Sequence, residues 1–220
     1  MASNIGSISD IRKKFHKLHD LISTSYHEAG HTIYGLLHGM NIESVSVSET
    51  KKTKRIGGIT QFNLWDLHEI QDDRVLNNRL SASICIFYAG LLAEKRFFKM
   101  ISGSDKFPMF LKDGSSDDFA EANTLIKKYN LAEAGPPRYR YKQKLLKEVD
   151  KELQQNWDAV TIIAHGLVNK KKLNYLDLKE LLLKKANNKE FWRQQFKIHE
   201  ELRQNSDPLD ENAIKYILHL

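Results

Sequence analysis

Two histidines four residues apart with a glutamate beside the first, His27-Glu28-Ala29-Gly30-His31, are the residues of this chain best suited to chemistry. On a helix, positions i and i+4 share a face, so both imidazoles can reach one metal ion. Glu28 can lean over the same point and hold a water. That is the outline of a zinc hydrolase, with a metal to acidify water and a carboxylate to take its proton. A chain of 220 residues with nine histidines produces this pattern by chance on the order of a few times in a hundred. The surroundings therefore matter.

Those surroundings are apolar. Ile22, Tyr26, Ile33, Tyr34, Leu36 and Leu37 flank the motif at helical spacing, and a buried helix seldom carries two histidines and a glutamate without partners for them. Ser23, Thr24 or Ser25 is placed to cap the start of this helix, and Gly39 to end it. A short amphipathic helix, Ile8 to Leu21, is expected before it. Catalytic zinc usually takes three protein ligands, and no distal histidine follows at the spacing of the extended zinc motifs.

Tyr26-His27-Glu28-Ala29-Gly30-His31 resembles the zinc motif of the FtsH-type ATP-dependent metalloproteases, and further fragments resemble that family in the same order. Arg55-Ile56-Gly57-Gly58-Ile59-Thr60-Gln61 is similar to its Gly-rich strand. Ala89-Gly90-Leu91-Leu92-Ala93-Glu94 is similar to its small-residue helix, with Leu91 where the family usually has arginine. Gly114-Ser115-Ser116-Asp117-Asp118-Phe119 is similar to its Gly-Ala-Ser-Asn-Asp turn, and Asn156 to Leu181 to its closing helix pair. The resemblance covers roughly residues 20 to 185. It implies a zinc-dependent endopeptidase with His27, His31 and Asp118 as metal ligands and Glu28 as the catalytic base. Asp117 is the rival third ligand. Aspartates in the first turn of a helix also favour the positive end of its dipole, and Ser115 could cap that turn, so one acid can cap while the other ligates.

The family normally adds an ATPase and a membrane anchor. This chain contains no G-x-x-x-x-G-K-[ST] loop, and no run of about 18 apolar residues that would span a membrane. Its first twenty residues lack the apolar core of a signal peptide. The expectation is a protease part standing alone, acting on peptides, unfolded proteins or proteins delivered by a separate unfoldase, with its oligomeric state open. The single cysteine, Cys85, excludes an internal disulfide and agrees with a reducing, cytoplasmic setting. It sits in an apolar run and reads as an inert core thiol. A non-catalytic binding protein that keeps the protease fold is the alternative, though the intact Glu28 has no use in a purely structural zinc site.

The elements that must position these residues are mostly helical. Ile42 to Ser48 alternates apolar and polar residues as a half-buried strand does, Lys51 to Arg55 reads as a polar turn, and Ile56 to Phe62 returns as a second strand. The predicted fold is mainly α, with a small antiparallel hairpin or sheet beside the active-site helix. By the resemblance this sheet borders the cleft and an extended substrate could pair with its edge; a plain hairpin closing the core explains the same residues. Gly57 and Gly58 suggest close approach of another backbone. A long apolar helix is expected over Asp73 to Met100, where Glu94 either accepts a hydrogen bond from a ligand histidine or marks the point where the helix meets solvent beside Lys95 and Arg96.

After a looser stretch, Ile101 to Asp113, a helix is expected over Asp117 to Tyr129. Two more follow the break at Gly135-Pro136-Pro137, over Tyr141 to Val168 and Tyr175 to Lys185, joined at Leu173 to Asp177. The chain divides into a peptidase domain over 1–185 and a helical C-terminal extension over 186–220. The extension's apolar positions, Trp192 and Phe196 and then Ile214 and Leu218, allow docking, self-association or recruitment of a partner. A net charge of +6 and a pI near 9.2 raise the question of nucleic acid. Pro136 to Lys142 interleaves aromatics with cations, as an RNA-contacting loop can, but a solvated lead into a charged helix explains it equally, and no recognised nucleic-acid module accompanies the charge. His38, His165 and the remaining histidines carry no spacing that ties them to the same metal.

Overall fold

The computed structural model describes residues 8–50, 56–63, 72–104 and 115–204. Among them are seven helices and one three-stranded antiparallel sheet, the mainly helical fold with a small sheet that the periodicity predicts. The predicted turn at Lys51 to Arg55, most of the loose stretch before Gly114, and the apolar positions Ile214 and Leu218 lie outside the described residues.

The first helix, α1, runs unbroken from Ile8 to Leu37. Two helices separated by a serine cap were expected, and the serines explain the difference. Ser25 Oγ donates back to the Leu21 carbonyl at 2.7 Å, and Ser23 Oγ donates across to Glu94 at 2.6 Å. Hydroxyls bonded this way ride inside a helix instead of starting one. The end is where the sequence places it: Gly39 takes the left-handed conformation, φ 71°, and Met40 N–H reaches the Gly35 carbonyl at 2.9 Å.

From that turn β1 (Asn41–Glu49) runs out and β2 (Ile56–Asn63) returns antiparallel to it. Ile42, Val45 and Val47 are all buried although Ile42 and Val45 are three apart, because a bulge between Ile42 and Ser44 resets the alternation. On the other side of β1 lies a strand that sequence reasoning took as a helix join, β3 (Lys172–Asn174), with Val45 opposite Leu173. The order β2-β1-β3 leaves β2 at an edge.

Helix α2 (Asp73–Ser102) starts at Asp72, whose carboxylate accepts the N–H groups of Arg74 and Val75 at 2.8 and 3.1 Å. By length and composition alone α2 would pass for a membrane-crossing helix, which counting unbroken apolar runs did not register. Most of its most apolar stretch is buried here, in the core of the protein. It crosses α1 closely: a Cβ on Gly30 would stand 2.5 Å from the Ala89 carbonyl oxygen and 2.7 Å from Ala93 Cβ. Gly30 inside the histidine motif and the small residues of α2 thus serve one crossing.

Helices α3 (Ser115–Lys128), α4 (Pro136–Gln155) and α5 (Trp157–Lys170) follow. The single helix expected over Tyr141 to Val168 breaks at Asn156, whose side-chain amide donates to the Glu152 carbonyl at 3.0 Å in competition with the helical ladder. Pro136 to Lys142 forms the first turns of α4, with Arg138 bonded to the Ala132 carbonyl, and not an extended loop. Helix α6 (Tyr175–Lys185) opens on a reciprocal cap between Asn174 and Asp177. Helix α7 (Lys189–Gln204) buries Trp192 and Phe196 in the same hydrophobic core as the site helices, and His199 Nε2 donates to the Leu36 carbonyl at 2.6 Å in the last turn of α1.

Candidate metal centre

His27, Glu28 and His31 lie at the crossing of α1 and α2, all buried, and offer ligand atoms within 4.8 Å of one another. His27 Nε2 and His31 Nε2 stand 3.0 Å apart. The first turn of α3 brings Asp118 Oδ2 to 2.9 Å from the former and 3.3 Å from the latter. Asp117, its rival, is exposed. Asp118 is thus in direct contact with both nitrogens, while Glu28, on α1 itself, turns its carboxylate towards β2.

Backbone packing makes room for this pair. A Cβ on Gly90 of α2 would fall 2.4 Å from His31 Nε2 and 2.7 Å from His27 Nε2. Gly58 of β2 has the same relation to the base: its missing Cβ would sit 2.4 Å from Glu28 Oε1. Sequence reasoning expected a neighbouring backbone at Gly58; the neighbour is the Glu28 side chain. Thr60 Oγ1, two residues along the same face of β2, lies 2.7 Å from Glu28 Oε2 and 3.2 Å from the Glu28 carbonyl oxygen. It holds one carboxylate oxygen and leaves the other directed past Gly58.

The remaining ring nitrogens fix the tautomers. His31 Nδ1 is 2.6 Å from the Ile86 carbonyl, which can only accept, so the proton is on Nδ1 and a neutral ring carries its lone pair on Nε2. His27 Nδ1 faces Glu94 Oε2 at 3.5 Å, a charge neighbour rather than a short hydrogen bond, and favours the same tautomer. Ser23 anchors the other oxygen of Glu94. Glu94 is buried, so it does not mark a solvent boundary.

Two imidazole lone pairs and a carboxylate oxygen then converge within 3.3 Å. Such a meeting is repulsive without positive charge among the three atoms. A cation bound by nitrogen and oxygen, or a proton, removes the repulsion. The same field acts on the side chains themselves. Burial lowers the affinity of His27 for a proton, but Asp118, Glu94 and Glu28 outweigh it and push the imidazole up to about 10. Burial likewise opposes ionisation of Asp118, yet bonds and charges of His27 and His31 hold its carboxyl far below the usual range. The donor set, two nitrogens and one or two oxygens with a buried carboxylate beside them, fits a divalent transition metal such as zinc.

The other singled-out residues fall elsewhere. His38 pairs with Glu152 at 2.7 Å and stacks on Tyr34. His165 is exposed beside Tyr26, and Cys85 is buried in the core. His68 and His219 lie outside the described residues. Sequence reasoning missed Thr60, Ser23, the Ile86 carbonyl and His199. Only Thr60 left a signal, as the polar residue of β2 in step with Gly58. No family model matches the chain, and no curated protein matches it either.

Proposed function

We propose that this chain is a zinc-dependent endopeptidase that resembles the protease part of the FtsH-type metalloproteases. The observation that carries the reading is the convergence of His27 Nε2, His31 Nε2 and Asp118 Oδ2 beside the Glu28 carboxylate. His27, His31 and Asp118 would hold the metal. Zinc in such a setting supplies a water acidic enough to lose a proton near neutral pH and a Lewis acid for a carbonyl oxygen.

The residues of the chain do the rest. Glu28 takes a proton as water attacks the carbonyl carbon of the scissile peptide, and delivers it to the departing amine. Thr60 keeps the carboxylate turned to that task. Glu94, steadied by Ser23, orients the His27 ring, while the Ile86 carbonyl orients His31. The side of β2 that pairs with no strand among the described residues offers backbone groups to an extended substrate, which favours peptides and unfolded segments, or proteins opened by a separate unfoldase, over folded ones. A reducing, cytoplasmic setting goes with the single buried thiol.

The test is metal content of the purified chain together with casein cleavage, with and without a chelator, in the wild type and in Glu28→Gln. One equivalent of zinc with chelator-sensitive cleavage that Glu28→Gln abolishes is the expected result. Equal cleavage by Glu28→Gln, or no zinc bound after zinc is supplied, would overturn the reading. Zinc retained without cleavage of any unfolded substrate would move the chain to the binding-protein class.

A further inference from the structure

A chain that pairs with the free side of β2 lies against the side chains of β2 itself, and these alternate between two faces. Gly58 and Thr60 belong to the inner face, which carries the Glu28 carboxylate. Gly57, Ile59 and Gln61 belong to the outer face, with Ser48, Ser46 and Ser44 opposite them on β1. Among these outer residues Ile59 alone is large and apolar, and it is 69% exposed. Ser46 is too small to cover it, Gly57 has no side chain, and Gln61 is turned to Ser44 Oγ at 3.3 Å. The flank of Ile59 away from β1 is therefore bare among the described residues. β2 also carries no charged residue that would repel an added strand.

A single exposed isoleucine is ordinary on a protein surface. Its place is what gives it a consequence. The residue of an added strand directly opposite Ile59 has its Cβ about 5 Å from that of Ile59. This contact follows from the pairing, whichever direction the added strand runs. The residues on either side of that one turn to the inner face, beside Gly58 and Thr60, where the Glu28 carboxylate lies. The residue opposite Ile59 is thus within about two residues of the bond presented to Glu28.

From this we infer that Ile59 is a specificity-determining residue, which selects a β-branched or aromatic substrate side chain over a charged one at the position opposite it. The inference deepens the endopeptidase reading and rests on it for the presence of a substrate strand. Aromatic and β-branched residues are the favoured cross-strand neighbours of an isoleucine. The missing side chain of Gly57 leaves room on the same face for a ring to lie diagonally. A charged side chain would lose part of its hydration against Ile59 and find no partner there. The position stays open to water on its outer side, so the selection is graded rather than absolute.

The experiment gives the full chain a set of short peptides in which each position in turn is Val, Phe, Ser, Glu or Lys, with cleavage sites read by mass spectrometry. At one position within two residues of the cut, the wild type should favour Val and Phe over Ser and Glu by about two- to fivefold in kcat/KM. Ile59→Lys should turn that preference to Glu by a similar factor, and Ile59→Ser should flatten it. Gln61→Lys, on the same face, should create a preference for Glu two residues further along the substrate and leave the first position as it was. Both positions are exposed, and zinc content and Tm confirm an intact centre and fold in each variant. No change of preference in Ile59→Lys, or the same change from Gln61→Lys, would overturn the role of Ile59. Failure of the endopeptidase reading has a different signature, since the wild type would then leave every peptide intact. Fluorescence anisotropy in the Glu28→Gln background, with and without Ile59→Lys, then decides the contact alone. Tighter binding of the Glu peptides on adding Ile59→Lys keeps it, and equal binding removes it.

Discussion

Gly90 stands where any Cβ would strike both imidazoles, 2.4 Å from His31 Nε2 and 2.7 Å from His27 Nε2. The absence of a side chain on α2 is thus as much part of the centre as the side chains on α1. Gly90→Ala should lower zinc affinity by at least about tenfold while leaving far-UV circular dichroism intact, because the rings have to turn away from the added methyl. Zinc titration against a competing chelator gives the measurement. Unchanged affinity would mean that the imidazoles do not point at the metal as they point here.

Gly30 presents a different case, because its close neighbours are the Ala89 carbonyl and Ala93 Cβ, not flexible side-chain tips. Gly30→Ala should force the α1–α2 crossing apart and cost about 1–3 kcal/mol. At this chain length that is a fall in Tm of several degrees. Gly103→Ala, where φ is 65° but no atom lies within 4 Å of the added group, should cost about 1–2 kcal/mol, all of it from the left-handed backbone. Thermal melts of the two variants side by side test the ranking.

Asp118 and Asp117 are neighbours in the first turn of α3, and only Asp118 reaches the imidazoles. Replacing Asp118 by Asn should strongly weaken zinc binding, whereas Asp117→Asn should leave it within about twofold. Equilibrium dialysis against zinc separates the outcomes. Equal loss in both variants would indicate that the helix terminus acts as a whole and that neither acid is a ligand.

Thr60 acts on Glu28 alone. Thr60→Val removes a hydrogen bond to a carboxylate, an effect of about 1.5–3 kcal/mol when the acceptor is charged. It should lower kcat for peptide cleavage by about tenfold or more, and leave zinc content unchanged. Thr60→Ser should restore most of the rate. Loss of zinc in Thr60→Val would show that the strand supports the metal rather than the base.

Cys85 gives a pH dependence independent of the centre. Its thiol is pushed up to about 12, chiefly by burial, against a lowering from the Tyr34 hydrogen bond and with smaller raises from Glu148 and Glu152. In an unfolded chain the thiol titrates near about 8.5. The folded state therefore holds the proton more tightly, and the stability this represents is complete below about pH 8.5 and is lost as pH climbs towards 12. Urea midpoints of wild type and Cys85→Ala should lie further apart at pH 7.5 than at pH 10.5. A gap that stays constant would show that the thiolate meets no penalty in the core.

Legibility from sequence followed the range of the forces involved. The helix bearing His27 and His31, its stop at Gly39 and the hairpin of β1 and β2 come from neighbours a few residues apart, and they are readable. The capping serines were misread because a hydroxyl that bonds back to residue i−4 has the same local sequence as one that starts a helix. β3 is three residues long, and it is a strand only because β1 presents Ser44 to Ser46 to it. Asp118 was reached by resemblance, since nothing local tells which of two adjacent acids will meet a histidine 91 positions earlier. Thr60 and Ser23 became meaningful only once the folded chain placed Glu28 and Glu94 beside them.

The three-residue strand β3 also sets an order of events. Val45 finds its first partner, Thr60, within the hairpin, but its second, Leu173, only after α2 to α5 have been made. During synthesis the inner edge of β1 is therefore exposed while the long apolar α2 is already out of the ribosome. Non-local pairings of this kind slow folding, and an open strand edge is a template for intermolecular association. Chains cut short of residue 172 should accumulate as aggregates held together through β1, and the vulnerable period of this protein is its own translation.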